Sequence, residues 1–130
     1  MRHDVKSNNT IGEEVAASSN AAGTVNGAGV DHALASSVSF FISVGSVGAS
    51  GTLDAKTQYS DDASTWTDYP ANDPAGNDDA ITQITAAGTA QLNIVNPRGR
   101  YSRVVSTVGV NAVVFGITSV LGPLRSVSAG

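Results

Sequence analysis

The stretch "SVSFFISVG", residues 37–45, decides the fold. Val38, Phe40, Ile42 and Val44 fall on one side of an extended chain, and Ser37, Ser39 and Ser43 on the other. Successive side chains of a strand point to opposite faces, so an apolar set at period two opposed by serines predicts a strand buried on one side. Phe41 interrupts the serine face, and burial on the other side does not account for it.

The same reading extends outward. After a glycine-rich turn, "GSVGASG" at residues 45–51, "TLDAKTQYS" (52–60) alternates Leu53, Ala55, Thr57 and Tyr59 against Asp54, Lys56 and Gln58. This is a second strand. "STWTDY" (64–69), "AITQITA" (80–86) and "AQLNIVN" (90–96) read as further strands, separated by a proline- and aspartate-rich surface loop at 70–79 and by "AGT" at 87–89. "RYSRVVSTV" (100–108) and "NAVVFGITSVLG" (111–122) read as two long strands. In the last, Val113, Phe115 and Ile117 oppose Ala112, Val114 and Thr118, so both faces are fairly apolar and the strand belongs at the centre of a sheet or at an interface. "GPLR" (122–125) ends it, because proline cannot continue a ladder.

Residues 1–23 are small and polar, and "ASSNAAG" (17–23) offers neither alternation nor a helical face. They read as an irregular N-terminal arm, leaving residues 24–130 as the folded domain. About seven or eight strands with frequent turns, and no helix of ten residues, predict an all-β antiparallel β-sandwich, jelly-roll or immunoglobulin-like in outline.

The 130 residues fit one domain large enough to bury a core. Charged residues make up 14% and the net charge is -4, with none of the basic excess that neutralises a nucleic-acid backbone. Nucleic acid is therefore not an expected partner. The chain has no cysteine, hence no disulfide framework, and no apolar run approaches a membrane span. The expectation is a soluble protein without a classical export signal, bound to no membrane.

The stretch "YSDDASTWTDYP" (59–70) could be a calcium or sugar site, or a turn that pins its tryptophan. Ser60, Asp62, Thr65 and Trp66 resemble the Asp-box, a hairpin motif of sialidases and other β proteins whose aspartate bonds turn amides. The spacing is one residue short, and Ser64 stands near the glycine position. The turn is the favoured reading, since calcium requires six to eight oxygens in a defined loop. "NDPAGNDD" (72–79) is rich in oxygen ligands but reads equally as a solvated loop. No cofactor or metal is expected.

Catalytic candidates are sparse. Of the two histidines, His3 lies in the arm and only His32 could serve a serine nucleophile, though it reads better as a surface residue. Arg98, Arg100 and Arg103 cluster where a strand begins and could fork onto carboxylates of a neighbouring subunit or form a solvated strand end. Phe41, together with Val114 and Phe115 of the two-sided final strand, suggests more apolar surface than one sandwich buries, as an oligomer interface would supply.

Tyr101, Arg103 and Val104, then Gly116, then Leu121, Gly122 and Arg125 resemble the Tyr-x-Arg-Val strand, the glycine-containing apolar strand and the Leu-Gly-x-x-Arg ending of small tailed-phage virion proteins. The resemblance covers about residues 25–125. It implies a capsid decoration (cement) protein: a β-sandwich, often trimeric, on the capsid exterior, bridging major capsid protein subunits after assembly in the host cytoplasm. A carbohydrate-binding module with Trp66, Tyr59 and Tyr69 as stacking platforms is the alternative from another class. A tail or head-tail joining protein is a third, built as a ring.

Overall fold

The computed structural model describes residues 10–33 and 35–122. Among them are nine strands in two antiparallel sheets packed as a β-sandwich: β1 (Thr10–Asn20), β2 (Gly23–Asn26), β3 (Val30–Asp31), β4 (Val38–Val47), β5 (Thr52–Ser60), β6 (Thr67–Asp68), β7 (Gly88–Ile94), β8 (Tyr101–Gly109) and β9 (Val113–Leu121). One sheet runs β1-β9-β4-β7. The other runs β2-β8-β5-β6, with β3 on β8 as well.

The period-two pattern of β4 is realised: Val38, Phe40, Ile42 and Val44 are buried and Phe41 and Ser43 exposed. The strand outlasts the expected turn at residue 45, because a bulge between Val44 and Ser46 lets it continue against β9 to Val47. β9 lies between β1 and β4, the central position expected of it.

The arm expected at residues 1–23 needs correction. Thr10–Asn20 is a strand, pairing with β9 from Thr10 opposite Leu121 to Asn20 opposite Val113. Its Ala, Ser and Glu residues have weak strand preference, so the pairing partner and not the local sequence fixes its conformation. Residues 1–9 fall outside the described residues, as does Arg125. "AITQITA" is a second correction: only Ala80 and Ile84 form isolated bridges there, to Lys56 and Leu53. Its two isoleucines, 81 and 84, are three apart, and both pack against the core.

The core is asymmetric. Phe40, Ile42, Leu92, Ile94, Phe115 and Ile117 come from the first sheet, against Leu53 and the smaller Ala55, Thr57, Ser102, Val104, Ser106 and Val108 of the second. Large side chains on one layer interdigitate with small ones on the other, which keeps the density of a packed interior. One cost is visible: Ser106 Oγ is the buried side-chain polar atom without a hydrogen-bond partner among the described residues. Ser106→Ala is therefore expected to stabilise the protein by about 1 kcal/mol, read as a higher urea midpoint at unchanged slope.

Both sides of the sandwich are closed. On one, the segment after β6 binds the free edge of β5 through Thr57 N to Asp79 O (2.9 Å) and the reciprocal Leu53–Ile84 pair (2.9 Å each), and reaches β7 through Asp78 N to Asn93 O (3.0 Å). On the other, β1 is joined to the second sheet through Glu14.

Candidate functional site

Three arrangements of side chains bear on function: an outer face on the first sheet whose one exposed charge among the described residues is Glu13, a set of clamped carboxylates, and a buried histidine.

The four strands of the first sheet contain no lysine, arginine or aspartate. Their charged residues are Glu13, exposed, and Glu14, buried. The outward positions of β4 and β9 are Ser39, Phe41 and Ser43 beside Val114, Gly116, Thr118 and Val120, with Phe41 paired to Thr118 and to Gln91 of β7. Phe41 is 41% and Val114 37% exposed, two of the few large apolar side chains that face solvent. A shallow depression of about 260 Å³ lies over Gly116, lined by Ser43, Val114, Thr118 and Ala17, with Glu13 at its β1 side. It exists because a Cβ on Gly116 would stand 3.0 Å from Ala17 Cα, so only glycine lets β1 pass this close. Phe115, expected at an interface with Val114, is 1% exposed and belongs to the core. Adjacent strand residues face opposite ways, so the two could not share a surface.

The three arginines expected at an interface each have a partner within the chain. Arg98 Nη2 pairs with Asp73 Oδ1 at 2.9 Å and Arg100 Nη2 with Asp31 Oδ2 at 2.8 Å. Arg103 donates to Gln58 Oε1 (2.9 Å) and lies over the Trp66 ring, 4.4 Å from its centroid. That stacking, with Gly29 against the benzo edge, leaves Trp66 half-buried. Tyr69 is buried and meets Tyr59 edge-on at 4.9 Å, so the three aromatics do not form the exposed ridge a sugar-stacking platform needs.

Residues 60–65 are a side-chain-closed turn. Ser60 Oγ accepts from the Asp62 and Ala63 amides (3.2 and 2.9 Å), and Asp62 Oδ1 accepts from those of Ser64 and Thr65 (2.8 and 2.9 Å). In the 72–79 loop Asp73 accepts from Arg98, Ala75 N and Asn77 Nδ2, while Asp78 Oδ2 accepts from Asn93 N (2.8 Å). These oxygens are turned to protein donors, and no group of three or more candidate metal ligands occurs among the described residues.

Hydrogen bonds from Thr65, Ser64 and Ser60 hold the Asp62 carboxyl below its ordinary 3.8. Arg98 does the same for Asp73, Arg100 for Asp31 and Gln58 for Asp68. A lowered folded value means that the unfolded chain takes up the proton first. Stability from these clamps is present above pH 3.8 and lost as pH falls through the folded values. Asp62→Ala is expected to leave the sandwich folded while the Ser64 and Thr65 amides exchange faster at neutral pH, an effect the unaltered protein shows only in acid.

Glu14 was not legible as a functional position. Its carboxylate, 4% exposed, accepts from Gly29 N at 3.2 Å and Val104 N at 3.1 Å. Between β2 and β3 three residues, 27–29, face two of β8, so the chain bulges and Val104 N lacks a ladder partner. Glu14 supplies it from the opposite sheet. Burial raises this carboxyl above its ordinary 4.5, while the bonds to Val104 and Gly29 and the charge of Arg103 pull it back. The sign is opposite to that of the aspartates: its contribution is greatest in acid and falls as pH rises from 4.5 through the folded value.

His32, expected on the surface, is 3% exposed. Its Nε2 lies 2.8 Å from Ser102 Oγ, which lies 2.8 Å from the Tyr69 hydroxyl. Ser102 is fully buried, so this serine and histidine meet no substrate from solvent in this conformation. No helix among the described residues is long and apolar enough to cross a membrane. In comparisons with known proteins, no family model and no curated protein matches the chain.

Proposed function

We propose that the protein is a non-catalytic structural protein that works by docking through the outer face of its first sheet. One observation carries this: basic residues and aspartates are confined to the second sheet, the loops and the termini, while the first sheet, with Glu13 its one exposed charge among the described residues, presents serine, threonine and glycine around Phe41 and Val114. Depletion of charge around exposed aromatic and aliphatic groups is the composition of an interface centre, and on a free surface such a face invites association.

The resemblance of the C-terminal strands to tailed-phage virion proteins supplies the partner class. The proposed role is capsid decoration, with the chain, as a homotrimer, seated on major capsid protein at the capsid exterior. Three linked copies would multiply modest contacts into a clamp. The test is the molar mass in solution, followed by rebinding to capsids stripped of the protein. Three times 13.1 kDa and saturable rebinding support the reading. A monomer that does not bind capsids removes it, and a ring of six or twelve moves the role to the tail.

A further inference from the structure

At one end of the sandwich the chain crosses between the sheets twice, from β3 to β4 and from β7 to β8. The buried polar chain ties the two crossings together. His32 sits in the first, where its N donates to Arg100 O (2.9 Å) and its O accepts from Ala35 N (3.1 Å). Arg98 sits in the second, and its backbone N donates to Tyr69 OH at 3.0 Å.

One arrangement of the protons pairs every donor in this chain. Arg98 N can only donate, so the phenol oxygen accepts from it and sends its own proton to Ser102 Oγ. Ser102 in turn sends its single proton to His32 Nε2, which must be unprotonated to accept it. A protonated imidazole reverses the relay. Ser102 must then donate to Tyr69, whose phenol proton is left without an acceptor in a site closed to water.

Of the charged groups around the ring, Asp31 favours the protonated imidazole and offsets part of this cost. Asp31, on the same segment, is held by Arg100, and Asp73, across the second crossing, by Arg98. Tyr59, Tyr69 and Tyr101 complete the titratable surroundings.

We propose that the His32–Ser102–Tyr69 chain is an acid-sensitive latch, closed at neutral pH, whose protonation at His32 frees both crossings at this end of the sandwich. Burial holds the imidazole below its ordinary 6.5, opposed in part by backbone acceptors at Tyr101 and at His32 itself and by Asp31. The unfolded or opened chain therefore takes up the proton first. Stability of this end falls as pH drops below 6.5, until the folded value is reached. The latch does not depend on what the outer face of the first sheet binds.

The test is hydrogen exchange by mass spectrometry on the full chain, corrected for intrinsic rates, between about pH 7.5 and about pH 5, where one linked proton changes an opening equilibrium by up to about tenfold per pH unit. The hydrogen-bonded amides of His32, Ala35, Arg98 and Arg100 are expected to lose protection in that range while those of β4 and β9 do not. His32→Gln, whose amide oxygen can still accept from Ser102, should abolish the pH dependence. Should that variant fail to fold, the ring resonances of His32 in the unaltered protein decide, with a midpoint expected below 6.5. Titration of His32 at or above that value, protection independent of pH, or the same loss in His32→Gln would each overturn the latch.

Discussion

Glu14→Ala is expected to destabilise the protein by about 2–4 kcal/mol, because it strands two backbone donors, the buried Val104 N and the part-buried Gly29 N, at roughly 1–3 kcal/mol each. Relief from burying a charge offsets part of this and sets the lower end of the range. The measurement is urea unfolding at neutral pH. Glu14→Gln keeps one acceptor oxygen and should lose about half as much. Gly27 supplies an independent check, since a Cβ at that position would overlap Glu14 Oε1. Gly27→Ala should be costly in the unaltered protein and much cheaper once Glu14 is alanine. Residues in direct contact give non-additive double-mutant cycles. Additive effects of the two changes would mean that the carboxylate does not occupy the bulge, and the account of how β1 is held would fail.

The difficulty of seeing Glu14 in the sequence shows where sequence reading stops. Strands β4, β5, β8 and β9 announce themselves because one face of each is buried along its length, which writes the period of two directly into the residues. β1 carries no such record. Its backbone pairs along β9, but its side chains from Ala16 to Ser19 are exposed, and register shifts on both sides of Val15 break any alternation. Gly27 leaves room for the Glu14 carboxylate beside the backbone, but a glycine in a sequence cannot name what approaches it. The Ser60–Thr65 turn was legible because its hydrogen bonds are local in sequence. The His32–Ser102 bond joins residues 70 apart, and nothing local distinguishes that histidine from a surface one. Among the interface candidates, Phe41 was readable as an exception to its own face, whereas Val114 and Phe115 could be told apart only once the parity of β9 was fixed by its partners.

That parity makes the docking face open to a sharp test. Phe41→Lys with Val114→Lys is expected to leave the unfolding midpoint almost unchanged and to weaken self-association or capsid binding by about a hundredfold or more, the scale of losing central apolar contacts. Lysine suits both positions, because its stem still covers neighbouring strand surface while the ammonium resists a dry contact. Phe115→Ala is the opposite case. It truncates a 1%-exposed core ring next to Val114 in sequence and should cost about 3–5 kcal/mol of stability, with binding per folded molecule retained. The pair of experiments separates docking from folding on consecutive residues of one strand. If the double lysine variant binds as before, the outer face of the first sheet is not the docking surface, whatever the partner. If it unfolds, Phe41 and Val114 support the sheet itself, and the scarcity of charge around them reflects packing and not recognition. Loss of binding with an unchanged midpoint is the outcome that the segregation of charge to the rest of the molecule leads us to expect.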